Sequence, residues 1–223
     1  MTEANKPYII LSAAMSIDGK IASKTGDSEL SDEEDWKEVH KLRAQVDAIM
    51  VGKGTILKDN PKLHIKFHEH SGYYRIVVDS NLAIPLDSNV ISFQPEIYPT
   101  IICVTENVSI DHIKKYEENK IKVILAGKGD KVDLRKLMPL LKNLEIDTIL
   151  LEGGGNLNWS FIEHDLVDEI RITVAPLIVG GMGATSLVEG LGFEKMEDAP
   201  KFKLLEVSHR NNYVVLKYRR LKR

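Results

Sequence analysis

An α/β fold is the class this sequence predicts, with a largely parallel sheet closed by antiparallel strands near the C-terminus. Short apolar runs alternate with helix-like segments through most of the chain, the order of a parallel sheet with crossover helices. From Ile170 onward the pattern changes to period-two alternation and a hairpin-like turn. No internal repeat, low-complexity block or proline-rich linker divides the 223 residues, so one domain over residues 1–223 is the simplest organisation.

In order, Tyr8–Ala14 is the first predicted strand. Ser31 and Glu34 read as a capping box ahead of Trp36, Val39 and Leu42, which predicts a helix over about 32–44. Val46–Val51, Arg75–Asp79, Thr100–Val104 and Lys122–Leu125 are the next strands. Ser109 caps a helix running to about Asn119. Asp133 caps another, with Leu134, Leu137, Leu141 and Leu144 at helical spacing and Pro139 inside it. Thr148–Leu151 is a strand and Asn156–His164 a short helix. Ile170, Ile172 and Val174 alternate with polar residues, the sign of a strand with one solvated face. Phe202–Ser208 and Tyr213–Tyr218 flank a turn at His209-Arg210-Asn211-Asn212. Segments 60–73 and 176–200 are the most loop-like.

Composition narrows the function classes. Hydrophobic residues make up 43% and the net charge is −3, so there is core enough for a large domain and no global attraction to nucleic acid. The basic end (Arg219, Arg220, Lys222, Arg223) reads as a solubilising tail. One cysteine, Cys103, excludes an intramolecular disulfide and a multi-cysteine zinc site, and its apolar run makes it a core thiol. No apolar stretch approaches the ~20 residues of a membrane span, and the N-terminus lacks a signal-peptide layout. A soluble cytoplasmic protein is expected.

The chemistry concentrates at Ile149-Leu150-Leu151-Glu152-Gly153-Gly154-Gly155-Asn156, where an apolar run ends in a carboxylate, three glycines and a helix start. Glycine permits positive φ and close backbone approach, and a helix start offers amides to an anion. Val51-Gly52-Lys53-Gly54-Thr55 repeats the strand-to-glycine pattern, with Asp59 one helical turn after Thr55. Thr55 is suited to a phosphate or ribose oxygen and Asp59 to a ribose or a cap; a plain strand-to-turn connection fits equally. On the first helix Trp36, Val39, His40 and Arg43 share one sector, so Arg43 meets either a ligand phosphate or a carboxylate such as Asp47. The first strand runs into small residues and the turn Asp18-Gly19-Lys20. Val179-Gly180-Gly181-Met182-Gly183 is either a second cradle or a flexible connection.

Other motifs fail. Asn158 stands where the dinucleotide fingerprint needs its third glycine, and no Gly-Lys-Ser/Thr is present. His64, His68 and His70 lie in a polar segment without cysteine and read as a solvated loop rather than a metal site. No serine sits in a nucleophile elbow.

Taken in order, the run Pro7 to Lys20, Val39–Ala44, Met50–Thr55, Leu57–Leu63, Arg75–Ser80 and Leu150–Gly155 resemble the riboflavin-pathway reductases. These share a dihydrofolate-reductase-like, three-layer fold with the reductase domain of the bifunctional bacterial deaminase–reductase. The resemblance spans roughly Pro7 to Tyr218 and is strongest to the stand-alone archaeal type. It implies reduction, with NADPH, of the ribosylamino group of 2,5-diamino-6-ribosylamino-4(3H)-pyrimidinone 5′-phosphate to a ribitylamino group, in a homodimer. One cysteine cannot supply the zinc site of a deaminase, which fits a free-standing reductase. The resemblance implies NADPH contacts at Thr55, Asp59, Ser80 and the turn Gly153, Gly154, Gly155 and Asn156. It implies substrate contacts at Ser28, Arg43, Leu63 and Lys66, with Glu152 at the reacting end. Lys66 stands where the bacterial pattern has arginine, and Lys62 and His64 are the neighbouring alternatives. Alternative readings are the uracil form of the substrate, dihydrofolate reduction, or nucleotide binding without catalysis.

Overall fold

In the computed structural model, which describes residues 5–221, the apolar runs become strands and the segments between them helices. In chain order these are β1 (Tyr8–Ser16), β2 (Lys20–Ala22), α1 (Glu33–Arg43), β3 (Ala48–Gly52), α2 (Lys53–Asp59), β4 (Tyr74–Val78), α3 (Asn89–Ser92), β5 (Thr100–Val104), α4 (Ile110–Glu117) and β6 (Lys122–Leu125). They continue with α5 (Leu134–Lys142), β7 (Thr148–Leu151), α6 (Gly155–Glu163), β8 (Glu169–Ala175), β9 (Thr185–Ser186), β10 (Phe202–Arg210) and β11 (Tyr213–Arg220). The chain forms two compact units. One runs from His40 to Leu150 with the N-terminal residues up to Tyr8; the other comprises Ile9–Val39 and Leu151 onward.

In the first unit the strand order is β7-β3-β4-β5-β6, and β3 to β6 are parallel. Ile49, Met50, Val51, Ile76, Val77, Ile101, Ile102 and Val104 are all buried, as in a sheet covered on both faces. Cys103 lies among them, and burial pushes its thiol pKa up, so it is a core thiol. Ser109 and Asp133 cap α4 and α5 as their sequence positions predict: Ser109 accepts from the His112 amide, Asp133 from the amides of Arg135 and Lys136. Leu134, Leu137 and Leu141 face the core.

Two buried charged residues organise this unit's loops. Asp79 accepts from the amides of Asn81, Ala83 and Ile84, with Lys53 Nζ at 3.6 Å. Arg75 is fully buried and donates to the carbonyls of Lys62, Asn89 and Tyr98. Burial lowers its pKa to about 10, leaving it protonated at neutral pH. Part of the segment 60–73 is anchored while residues 66–69 stay exposed: Tyr73 donates to the Leu63 carbonyl at 2.7 Å, and the Ile65 amide donates to the Tyr98 hydroxyl at 3.2 Å. His64 stacks edge-on against Phe93, and His70 Nε2 bonds the Tyr98 hydroxyl.

In the second unit the order is β10-β11-β8-β1. Strand β8 runs parallel to β1 and antiparallel to β11, which pairs antiparallel with β10. The two-residue β9 pairs with β2, ordering part of the predicted loop 176–200.

Four expectations are corrected here. The polar face of β8 is not solvated: Arg171 and Thr173 are buried because both bond Asp35 of α1, each at 2.7 Å. Arg210 Nη2 stands 3.8 Å from the same carboxylate. The cap of α1 is Asp32, whose side chain accepts from the Asp35 amide, while Ser31 donates to Asp35 Oδ2. Trp36 is 44% exposed, and the buried stripe is Asp35, His40 and Arg43. The basic end is not simply a tail: Arg219 and Arg220 belong to β11 and meet Glu169 and Asp165. Lys222 and Arg223 lie outside the described residues.

Burial alone would raise the Asp35 pKa, but the bonds from Arg171, Thr173 and Ser31 outweigh it and hold the carboxyl below its ordinary range. A depressed folded-state pKa stabilises the fold fully above the ordinary carboxylate pKa and is lost as pH falls through the folded value. Asp35→Ala strands the buried Arg171 and is expected to cost roughly 3 kcal/mol in urea unfolding at neutral pH. The same substitution is expected to flatten the acid limb of the stability–pH curve. Lys37→Ala, which removes an exposed pair with Glu33, serves as the control and is expected to change stability little.

Candidate active site

The residues singled out in the sequence are divided between the two units. In the first unit, β3 passes directly into α2, which presents Thr55 half-buried and Asp59 exposed at its last residue. A Cβ built on Gly54 meets no atom within 4 Å, so the first turn of α2 leaves open room beside its backbone. Partial desolvation raises the pKa of the Asp59 carboxyl. Helix α2 ends in a left-handed Asn60 (φ 40), whose side-chain oxygen and carbonyl hold Asn89 at 2.7 Å each.

Leu63 follows, also left-handed (φ 43) and buried. For a residue with a branched side chain this conformation costs energy, of order 1–3 kcal/mol, and persists only where neighbours over-determine it. Arg75 on the Lys62 carbonyl and Tyr73 on the Leu63 carbonyl do so. Two residues of α1 reach the next stretch. Arg43 Nη1 donates to the His64 carbonyl at 3.0 Å, and His40 Nδ1 accepts from the Lys66 amide at 3.0 Å. Asp47 Oδ2 accepts from the amides of Asp147 and Thr148 and from the Thr148 hydroxyl. The Lys66 side chain is exposed. Ser80 Oγ accepts from the Val132 amide at 3.2 Å, and the Ser80 carbonyl accepts from Thr105.

In the second unit Glu152 is half-buried at the end of β7. Gly153 has φ 87, and the Gly153–Gly154 peptide is cis. Gly154 is the N-cap of α6, whose first residues are Gly155 and Asn156. A Cβ on Gly155 would lie 2.5 Å from the Ser186 carbonyl oxygen and 2.6 Å from Glu189 Cγ. Gly155 is thus glycine because the chain's own 186–189 segment packs on it. The Glu189 side chain in turn accepts from the Ser186 amide. Ser28 is exposed in the turn 23–30, and its carbonyl accepts from Leu30.

The cluster Val179–Gly183 forms a cradle, but for the protein's own Asp18: the amides of Val179 and Gly180 donate to that carboxylate at 3.0 and 2.7 Å. With Ser16 as the strongest partner, these bonds lower the Asp18 pKa to about 2. Lys20 opens β2 directly after Asp18-Gly19. Its half-buried ammonium bonds the Ser186 hydroxyl at 2.9 Å and the Ala184 carbonyl at 3.2 Å. Among the described residues no group of histidine, cysteine and carboxylate side chains is arranged to hold a metal, and no helix is long and apolar enough to cross a membrane.

The donors present suit a nucleotide and a phosphorylated sugar. The first unit offers open backbone at the start of α2, the Thr55 hydroxyl, the Asp59 carboxylate, Arg43 and Lys66; the second offers the Glu152 carboxylate beside the glycine turn. A 2,5-diamino-6-ribosylamino-4(3H)-pyrimidinone 5′-phosphate reductase of Methanothermobacter thermautotrophicus is 41% identical over 89% of this chain and 91% of its own length. A protein of the same name from Aquifex aeolicus is 37% identical over 94% and 92%. A solved Thermotoga maritima deaminase/reductase superposes with a TM-score of 0.79 at 25% identity, over 97% of this chain and 57% of its own. Residues 7–216 match the family described as the RibD C-terminal domain, and the chain belongs to that family.

Proposed function

We propose that this oxidoreductase reduces the ribosylamino group of 2,5-diamino-6-ribosylamino-4(3H)-pyrimidinone 5′-phosphate with NADPH, giving the ribitylamino product of riboflavin biosynthesis. The observation that carries the substrate is the pair of full-length relatives bearing that name. Reduction at the sugar carbon requires the ribosylamine ring to open to an imine. That carbon then gains a hydride and the attached nitrogen a proton. When bound, the nicotinamide supplies the hydride.

The protein's part is position, charge and exclusion of water. The residues assigned to the cofactor are Thr55, Asp59, Ser80, Gly153, Gly154, Gly155 and Asn156. Arg43 and Lys66 would hold the substrate phosphate; a guanidinium carries five donors, so the bond to His64 does not exhaust it. Leu63 and Ser28 would line the substrate, and Glu152 would bond the pyrimidine or sugar and assist proton transfer. The whole chain is read as one functional domain in the cytoplasm.

A second copy of the chain is the proposed partner. Strand β10 ends its unit's strand order and exposes Leu204, Leu205 and Val207, a long apolar edge of the kind that pairing covers.

The deciding assay follows nicotinamide absorbance with the diaminopyrimidinone phosphate, its uracil counterpart, dihydrofolate and no substrate. Turnover with the first alone is expected; none with any would favour a binding protein. Lys66→Ala and Arg43→Ala are each expected to raise KM about tenfold or more, the worth of a charge-assisted bond, with NADPH binding retained. Glu152→Gln is expected to spare NADPH binding and impair substrate use, and Gly154→Val to do the reverse. Val207→Lys is expected to move the protein from dimer to monomer in gel filtration; a wild-type monomer at micromolar concentration would sink the dimer.

A further inference from the structure

Three consecutive backbone groups around Lys66 are held by three side chains. The His64 carbonyl accepts from Arg43 Nη1 at 3.0 Å, the Ile65 amide donates to the Tyr98 hydroxyl at 3.2 Å, and the Lys66 amide donates to His40 Nδ1 at 3.0 Å. His40 and Arg43 stand three residues apart on the last turn of α1, hence on one face, and both are buried. The Phe67 ring closes on His40 edge-on at 5.1 Å, and His64 does the same at 6.2 Å. Lys66 therefore has a fixed backbone and an exposed side chain.

Only an unprotonated ring nitrogen accepts an amide proton. Burial is the first cause keeping His40 in that form, and the positive field of Arg43, His64, Lys66 and His68 is the second; together they push its pKa down to about 4. The Nδ1 lone pair is thus present throughout the neutral range. It also fixes the tautomer, with the ring proton on Nε2.

We propose that His40 is a positioning residue for substrate binding: by accepting the Lys66 amide it sets where the Lys66 ammonium stands against the substrate phosphate. This rests on the assignment of Lys66 above. A long flexible lysine loses much rotamer entropy when it binds, and a fixed Cα limits how much more must be ordered.

The test compares four proteins with the wild type: Lys66→Ala, His40→Leu, His40→Asn and the double variant His40→Leu/Lys66→Ala. KM and kcat are measured with the diaminopyrimidinone phosphate, and NADPH affinity by fluorescence. An asparagine side-chain oxygen takes the place of Nδ1, whereas leucine keeps bulk without an acceptor. Lys66→Ala is expected to raise KM about tenfold. His40→Leu is expected to raise it roughly threefold or more, with kcat and NADPH affinity close to wild type. His40→Asn is expected to restore it, and the double variant to be no worse than Lys66→Ala, as coupled residues are. If His40→Leu does not fold, His40→Gln replaces it. Its acceptor lies where Nε2 was, so a raised KM in Gln beside a normal one in Asn supports the proposal. Equal KM values for wild type and the Leu or Gln variant, or additive effects in the double variant, overturn it while leaving Lys66 as a phosphate ligand. A normal KM in Lys66→Ala overturns the Lys66 assignment and the positioning role together.

Discussion

A charge taken out of water must find a partner, and that constraint governs the helix on which much of this molecule turns. The inward stripe of α1 carries Asp35, His40 and Arg43 where leucines would serve a simple packing helix. Each is satisfied differently. Asp35 meets a guanidinium and two hydroxyls, His40 an amide, and Arg43 a carbonyl. Hydrophobic contacts tolerate a slide of an ångström; these do not, because hydrogen bonds fail within a few tenths of one. A polar stripe therefore fixes the axial position of the helix more sharply than an apolar one. In exchange, the net stability it adds is small.

The same logic appears in the loop from Asn60 to Tyr73. It has no ladder of its own, yet its carbonyls at 62, 63 and 64 are taken by Arg75, Tyr73 and Arg43, and its amides at 65 and 66 by Tyr98 and His40. Side chains from strand, helix and loop replace the partners that a neighbouring strand would give. This is how a buried left-handed Leu63 is held, and how a loop becomes rigid enough to carry recognition.

Much of this architecture was legible in the residues. Strands buried on both faces announce themselves as apolar runs, and β5 and β6 were read to the residue. Ser109 and Asp133 were legible as caps because capping is local. The failures share one cause: partners distant in sequence. The polar residues of β8 looked solvated, and only Asp35, 136 residues away from Arg171, explains why they are buried. Trp36 was placed inward by hydrophobicity, but the helix turns its charged side to the core. His68 is exposed as its polar segment suggests, but His64 and His70 are packed on by Phe93 and Tyr98, which lie beyond β4. For the candidate site, local signals found the glycine turn, Thr55 and Asp59. The clip formed by His40 had no local signal beyond its place on the helical wheel.

The glycine turn shows why such a signal needs geometry before it is interpreted. Three adjacent glycines after a carboxylate suggest one shared purpose, a backbone cradle for an anion. Here they divide. Gly153 adopts a positive φ that other residues resist, and Gly155 lacks room for a Cβ beside the chain's own Ser186 carbonyl. Val179 and Gly180 likewise direct their amides at Asp18. A damaging substitution at Gly155 would accordingly report displacement of the 186–189 segment, whatever it also did to a cofactor. Gly154 has an ordinary negative φ and caps α6 without a side-chain bond.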